Sequence, residues 1–166
     1  MGKILEILKD NEASLKEYSV FAKFETSEDK KRVFNLIEDM KVTLKEAGGV
    51  GLAAPQIGVN ERILLIEVDN NPRYSKMPNY KLQVFVNPII EKVSRKQGYF
   101  VEGCLSVPNE WIELKRPKWV RVSWKDQTGR PFKKKLTGVA ARIFFHEYDH
   151  LEGVLISDFM EDVEYS

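Results

Sequence analysis

The chain has 166 residues, with 26 lysines and arginines against 25 aspartates and glutamates, two histidines and one cysteine. At this length one domain, residues 1–166, can bury roughly two-thirds of the surface it exposes when unfolded, so it does not depend on a disulfide, and its lone cysteine could not form one internally. Hydrophobic residues at 43% and aromatics at 11% exclude intrinsic disorder, and the longest unbroken apolar run, Ile63 to Ile66, is far too short for a membrane span.

The amino terminus interrupts its apolar residues with Lys3, Glu6, Lys9, Asp10 and Glu12, so no secretory signal is expected and a cytoplasmic location is. A myristoylation motif would need Ser or Thr where this chain has Glu6, so neither a lipid anchor nor a membrane partner is expected. From Ser27 the apolar residues Val33, Ile37, Met40, Leu44 and Ala47 recur at three- and four-residue spacing. This predicts an N-terminal helix with Ser27 as N-cap, ended by Gly48 and Gly49.

Strands are predicted at Arg62 to Val68, Leu82 to Val86, Trp119 to Trp124 and Phe132 to Leu136, with a long polar loop from Asp69 to Asn79 and a hairpin turn from Asp126 to Gly129. A second helix should open near Thr137 or Gly138 and run to about Leu151, with Gly153 in the left-handed conformation beyond its end. Helices and strands that do not alternate regularly indicate an α+β fold. From Trp111 to Arg142 there are ten basic and two acidic residues, whereas seven acidic residues and no lysine or arginine follow Arg142. This reads either as solvated strand faces beside an acidic helix, or as a weak attraction for a polyanion such as ribosomal RNA; no sequence-specific nucleic-acid partner is expected.

Both histidines lie in one string, His146, Glu147, Tyr148, Asp149, His150, which puts the imidazoles one turn apart on one helix face, where a metal can bind. Two ligands are too few, because a catalytic divalent ion usually takes three from the protein. Cys104, in Glu102 to Pro108, would by itself read as a small buried hydrophobe. Beside the histidine pair it becomes the third ligand of a set suited to zinc or ferrous iron. The small residues from Gly49 to Gly58 either let backbone approach a ligand or simply make a tight turn.

Taken together, GVGLAAPQIG, EGCLSVP and HEYDHLEG resemble, in order and approximate spacing, the three signature motifs of the peptide deformylases. The resemblance implies antiparallel β-sheets around a central helix carrying the HExxH motif. It implies removal of the formyl group from the N-terminal formylmethionine of nascent proteins, with one divalent metal ion, ferrous iron in most members and zinc as the alternative. The implied metal ligands are Cys104, His146 and His150; Glu147 is the general acid and base, and the Gln56 side chain and the Leu105 backbone N–H are oxyanion donors. Val50 and Gly51 fall where the family pairs substrate backbone. Val139 and Ile143, seven and three residues before His146 on nearly its own helix face, are expected with Val50 to border the methionine pocket, or else to pack against the strands.

The chain departs from the family at Phe145, where many members have Gln, and at Trp111, where some bacterial members have Arg. Thirteen residues follow Gly153, where many bacterial members continue into a further helix, so the sequence gives no ground for expecting a ribosome contact through such a helix. A monomer acting on N-formylmethionyl peptides is expected, with weak ribosome association through residues 111–142. The competing readings are a metallopeptidase, for which the chain lacks a third histidine, and a catalytically idle deformylase-like binding protein.

Overall fold

Helix α1 (Ser27–Ala47) buries Val33, Ile37, Met40 and Leu44 along one face, the stripe that the spacing predicts. The structure, a computed structural model, describes residues 2–159. The N-cap of α1 is Thr26 rather than Ser27. The Thr26 hydroxyl accepts from the Asp29 N–H at 3.0 Å, and the Asp29 carboxylate accepts from the Thr26 N–H at 3.2 Å. Such a reciprocal box needs a carboxylate three residues on, which Thr26 has in Asp29 and Ser27, facing Lys30, has not. Gly48 ends the helix at φ 71°, a conformation that glycine adopts without steric cost.

Seven strands follow: β1 (Gly51–Ala53), β2 (Ile63–Val68), β3 (Tyr80–Val93), β4 (Gln97–Cys104), β5 (Val107–Pro117), β6 (Trp119–Lys125) and β7 (Pro131–Thr137), with helix α2 (Gly138–Leu151) after them. Five form an antiparallel sheet in the order β1-β2-β3-β6-β7, and β4 and β5 form a separate hairpin. The α+β class follows from this arrangement. The sheet is covered on both faces. Ile63 and Leu65 of β2 join α1 in one core cluster, while Leu64, Ile66 and Val68 join Phe144 and Leu151 of α2 in the other. A strand buried on both sides has no polar face to present, which is why Ile63 to Ile66 is unbroken. Each such side chain contributes about 2 kcal/mol by leaving water.

Helix α2 lies between the sheet and the hairpin, in contact with β1, β2, β6 and β7 on one side and β5 on the other. Its C-terminal end is clamped by buried Arg62, which donates to the Leu151 carbonyl at 3.3 Å and the Ser19 carbonyl at 3.1 Å, a cation where the helix dipole favours one. Gly153 is left-handed at φ 75° as predicted.

The strands differ from the sequence reading in two respects. Strand β3 runs beyond Val86 to Val93, because register shifts carry it past Asn87, at φ 53°, and Pro88, which break its alternation. Strands β1, β4 and β5 were not among those predicted, although β4 holds Tyr99, Phe100 and Val101 and β5 holds Trp111 and Ile112, residues that favour strands. Gly98, Gly103, Pro108 and Pro117 punctuate the hairpin, and its pairing partners hold it together. Among the described residues no helix is long and apolar enough to cross a membrane.

Candidate metal centre

The register between α2 and β4 builds the site. Four helical residues advance about 6 Å, and two strand residues advance about 6.8 Å, so side chains at these spacings meet rung by rung. Arg142 stacks on Phe100 with its guanidinium carbon 4.3 Å from the ring centre; His146 Nδ1 lies 2.9 Å from Glu102 Oε1; His150 Nε2 lies 3.3 Å from Cys104 Sγ. Strand β4 turns into β5 through Leu105 and Ser106, and the Cys104↔Val107 pair is displaced from the regular ladder by a bulge that includes Asn109 at φ 66°.

One donor atom from each of Cys104, His146 and His150 lies within 4.8 Å of the others, and all three residues are buried. In a tetrahedral site with ordinary metal–sulfur and metal–nitrogen lengths, neighbouring donors stand about 3.5 Å apart. The 3.3 Å between Cys104 Sγ and His150 Nε2 is close to that edge. The set fits a single divalent ion.

A second layer holds the first. Arg116 donates from Nε and one terminal nitrogen to the two oxygens of Glu102, both at 2.8 Å, and from its other terminal nitrogen to Asp149 at 2.6 Å. Burial alone would raise the Glu102 carboxyl, but the bonds from Arg116 and His146 outweigh it and hold the pKa at about 2. An ionised Glu102 accepts the His146 Nδ1–H, which leaves the Nε2 lone pair for a metal. At His146 burial opposes positive charge, yet Glu147, Cys104 and Glu102 together raise its pKa well above the usual value. Surroundings that favour a positive charge at this ring favour a metal cation as well as a proton. Burial, then His146 and Arg116, lower the His150 pKa and keep that ring in its neutral, ligating form.

A cleft opens onto Cys104, His146 and Glu147 and is also lined by Val50, Gly51, Gln56, Leu105 and Ile143. Glu147 is 3% exposed, its Oε2 is 3.9 Å from His146 Nε2, and its Oε1 has no hydrogen-bond partner among the described residues. Burial pushes its pKa up to about 7, against the pull of His146. A Cβ at Gly51 would stand 2.5 Å from Glu147 Oε2 and 2.8 Å from Ile143 Cγ2, so only glycine lets β1 approach this closely. The second edge of β1 pairs with no strand among the described residues, and this edge borders the cleft. Gln56 Oε1 accepts the Ala53 N–H at 2.9 Å, which fixes the amide so that Nε2 donates to Ser106 Oγ at 3.1 Å and lies 3.9 Å from Cys104 Sγ.

Val139 does not line this cleft. Seven residues put it on the face of His146 but about 10 Å back along the axis, where it packs in the core and borders a different groove. Phe145 packs in the core, as its 100° offset from His146 predicts. Trp111 is 48% exposed at the cleft rim, edge-on to Tyr74 at 5.6 Å. Sequence reasoning assigned no role to Glu102, Arg116 or the cleft-lining loop residues Arg73, Tyr74 and Met77. Glu102 lies inside one of the motifs, but Arg116 stands opposite Gly98 in the hairpin and reaches Glu102 only through its long side chain on the same face.

Because Glu102 orients His146, Glu102→Gln should weaken metal binding by about 10- to 100-fold. Competition with a chromophoric chelator measures this, and unchanged affinity would remove the orienting role.

An α+β fold with a buried His₂Cys cluster and an adjacent buried carboxylate defines a protein of the single-metal-centre class. The sequence model of the polypeptide deformylases matches residues 4–165, and the chain belongs to that family. It is 40% identical over 124 residues to the peptide deformylase of Microchaete diplosiphon, an alignment covering 74% of this chain and 63% of that relative's length. The Met-Ala-Ser-bound crystal structure of a class I type b peptide deformylase from Acinetobacter baumannii superimposes with a TM-score of 0.88 at 32% identity, covering 95% of this chain and 99% of that one. A probable peptide deformylase from synechococcus phage S-SSM7 gives 0.81 at 36% identity, covering 93% and 98%.

Proposed function

We propose that residues 1–166 act as one catalytic domain, a peptide deformylase that removes the N-formyl group from N-formylmethionyl peptides of nascent chains and releases formate. The observation that carries this is the buried Cys104, His146 and His150 cluster beside Glu147, at the base of a cleft bordered by the open edge of β1. The relative holding Met-Ala-Ser supports a methionine-headed peptide as the ligand. Cys104, His146 and His150 would hold one divalent ion, whose Lewis acidity would activate water and polarise the formyl carbonyl.

The chain's own groups do the rest. Glu147 takes the proton from the attacking water and delivers it to the amine that leaves when the C–N bond breaks. The Gln56 Nε2–H and Leu105 N–H meet the charge that develops on the formyl oxygen, and the Ala53 N–H fixes the orientation of the Gln56 amide. The edge at Val50 and Gly51 pairs with the peptide backbone, and Val50 and Ile143 border the methionine side chain.

The test is formate release from formyl-Met-Ala-Ser by protein purified without air; no release by metal-loaded protein would refute the assignment. The resident ion is Fe(II), with Zn(II) replacing it in preparations exposed to air. Affinity order favours zinc, while family resemblance favours iron for activity. An anaerobic ferrous preparation should turn over much faster than the zinc form and lose activity in air as iron or Cys104 is oxidised. Equal, air-stable rates would contradict the iron assignment.

The protein works as a cytoplasmic monomer. Within residues 111–142, exposed Arg121, Lys133 and Lys135 lie on adjacent strands, with Arg121 paired to Lys135, and this supports weak ribosome association.

A further inference from the structure

We propose that the N-terminal segment of residues 8–10 is a positioning element for deformylation, bracing the two oxyanion donors Gln56 and Leu105 at one fixed separation, a role that rests on the deformylase reading. The Leu8 N–H donates to the Gln56 carbonyl at 2.7 Å, and the Asp10 N–H donates to the Ser106 carbonyl at 2.9 Å. Between them the Lys9 ammonium donates to the Leu105 carbonyl at 3.3 Å. Residues two apart in an extended chain present the same edge about 6.8 Å apart, so one short segment holds both donor-bearing loops.

The two donors sit on separately built parts of the fold. Gln56 lies in the short turn Ala54–Ile57 that follows β1, while Leu105 lies in the turn of the β4–β5 hairpin, which pairs with no strand of the five-stranded sheet. Among the described residues, the Asp10 bond is the one backbone–backbone hydrogen bond that ties this hairpin turn to the rest of the chain. A side-chain bond crosses the same gap: Gln56 Nε2 donates to Ser106 Oγ at 3.1 Å, and both residues are buried. That bond uses one amide hydrogen and leaves the other for the formyl oxygen. Shifting the Ser106 turn therefore moves the Leu105 N–H together with the oxygen that aims Gln56 Nε2.

The segment is itself anchored on both sides. The Leu5 N–H donates to Thr43 Oγ1 at 2.9 Å, Ile7 packs on the α1 cluster, and buried Leu15 follows in the turn Ala13–Lys16, which packs against Ala54–Ile57. The Glu12 N–H closes a turn on the Lys9 carbonyl at 2.9 Å. Asp10 is thus the second residue of a four-residue turn, the position that favours proline. Asp10→Pro keeps that turn and removes the N–H that holds Ser106.

The experiment compares metal-loaded Asp10→Pro with Asp10→Ala, which also lacks the carboxylate but keeps the N–H, on formyl-Met-Ala-Ser. A deleted oxyanion donor costs about 10²- to 10³-fold in kcat, so a displaced pair should cost about tenfold or more, with KM changed by less than about twofold. Affinity for the product Met-Ala-Ser, measured by calorimetry, should likewise stay within about twofold, because it carries no formyl oxygen. Leu8→Pro, which releases the Gln56 carbonyl instead, should show the same split. Equal kcat in Asp10→Pro and Asp10→Ala, or a loss carried by KM and Met-Ala-Ser affinity rather than by kcat, would overturn the proposal. Loss of the fold or of the metal in both proline variants would overturn it too, since the segment would then be a structural support only. No formate from the metal-loaded parent would overturn the deformylase reading and this inference with it.

Discussion

Glu147→Gln should keep about one metal ion per chain while formate release falls by about 10²- to 10⁴-fold, the range that a positioned general acid and base supplies. The substitution conserves shape in a site where Glu147 is 3% exposed, so the loss reports chemistry rather than packing. The carboxylate is tightly placed, since the glycine at 51 leaves only enough room for backbone beside its Oε2. An amide there can still fill the space but cannot take a proton from water. The metal donors are untouched, because Glu147 lies beside His146 Nε2 rather than among the three ligating side chains. Metal analysis and a formate assay on one preparation check both halves, and turnover near the parent's would exclude the role.

Cys104→Ala should bring metal content down from about one per chain and abolish measurable turnover. Four protein ligands together hold structural zinc by about 10–16 kcal/mol, so one ligand is worth about 3 kcal/mol, or about 10²-fold in affinity. The remaining His146 and His150 come from one helix and cannot enclose an ion without a donor from β4. Cys104 is buried against Val107, Leu114 and Ile156 as well, so the variant also loses a sulfur's worth of packing. Cys104→Ser, nearly equal in volume, separates the two effects: it should restore the fold but not tight binding, because a hydroxyl is a poor soft ligand. Stoichiometric metal retained by both variants would exclude Cys104 as a ligand.

The residues proposed for the metal and the proton transfers were legible because their spacing follows from the helix itself. His146, Glu147 and His150 need only 3.6 residues per turn to share a face, whatever packs around them. Helix α1 was legible for the same reason, and β2 from the apolar, β-branched residues between Arg62 and Val68. Cys104 could be drawn to the pair by chemistry alone, since soft and neutral donors suit one kind of ion.

What no local pattern contained was pairing between distant segments. The β4–β5 hairpin has strand-favouring residues in Tyr99 to Val101, but glycines and prolines interrupt its pattern, and its ladder holds it together. Only the folded chain brings the Arg116 side chain, which stands opposite Gly98 in the ladder, along the hairpin face to Glu102, and Glu102 onto His146 of α2, contacts separated by 14 and 44 residues. Val139 shows the converse: a helical wheel gives direction but not distance along the axis, and two turns carried it past the end of the cleft. The loop from Asp69 to Asn79 was visible as a loop, but its place over the metal site follows from where β2 and β3 emerge beside α2. Short-range periodicity thus determined the ligand pair and the helices, whereas the orienting layer and the shape of the cleft were decided by long-range pairing, which burial fixes only once the whole chain has folded.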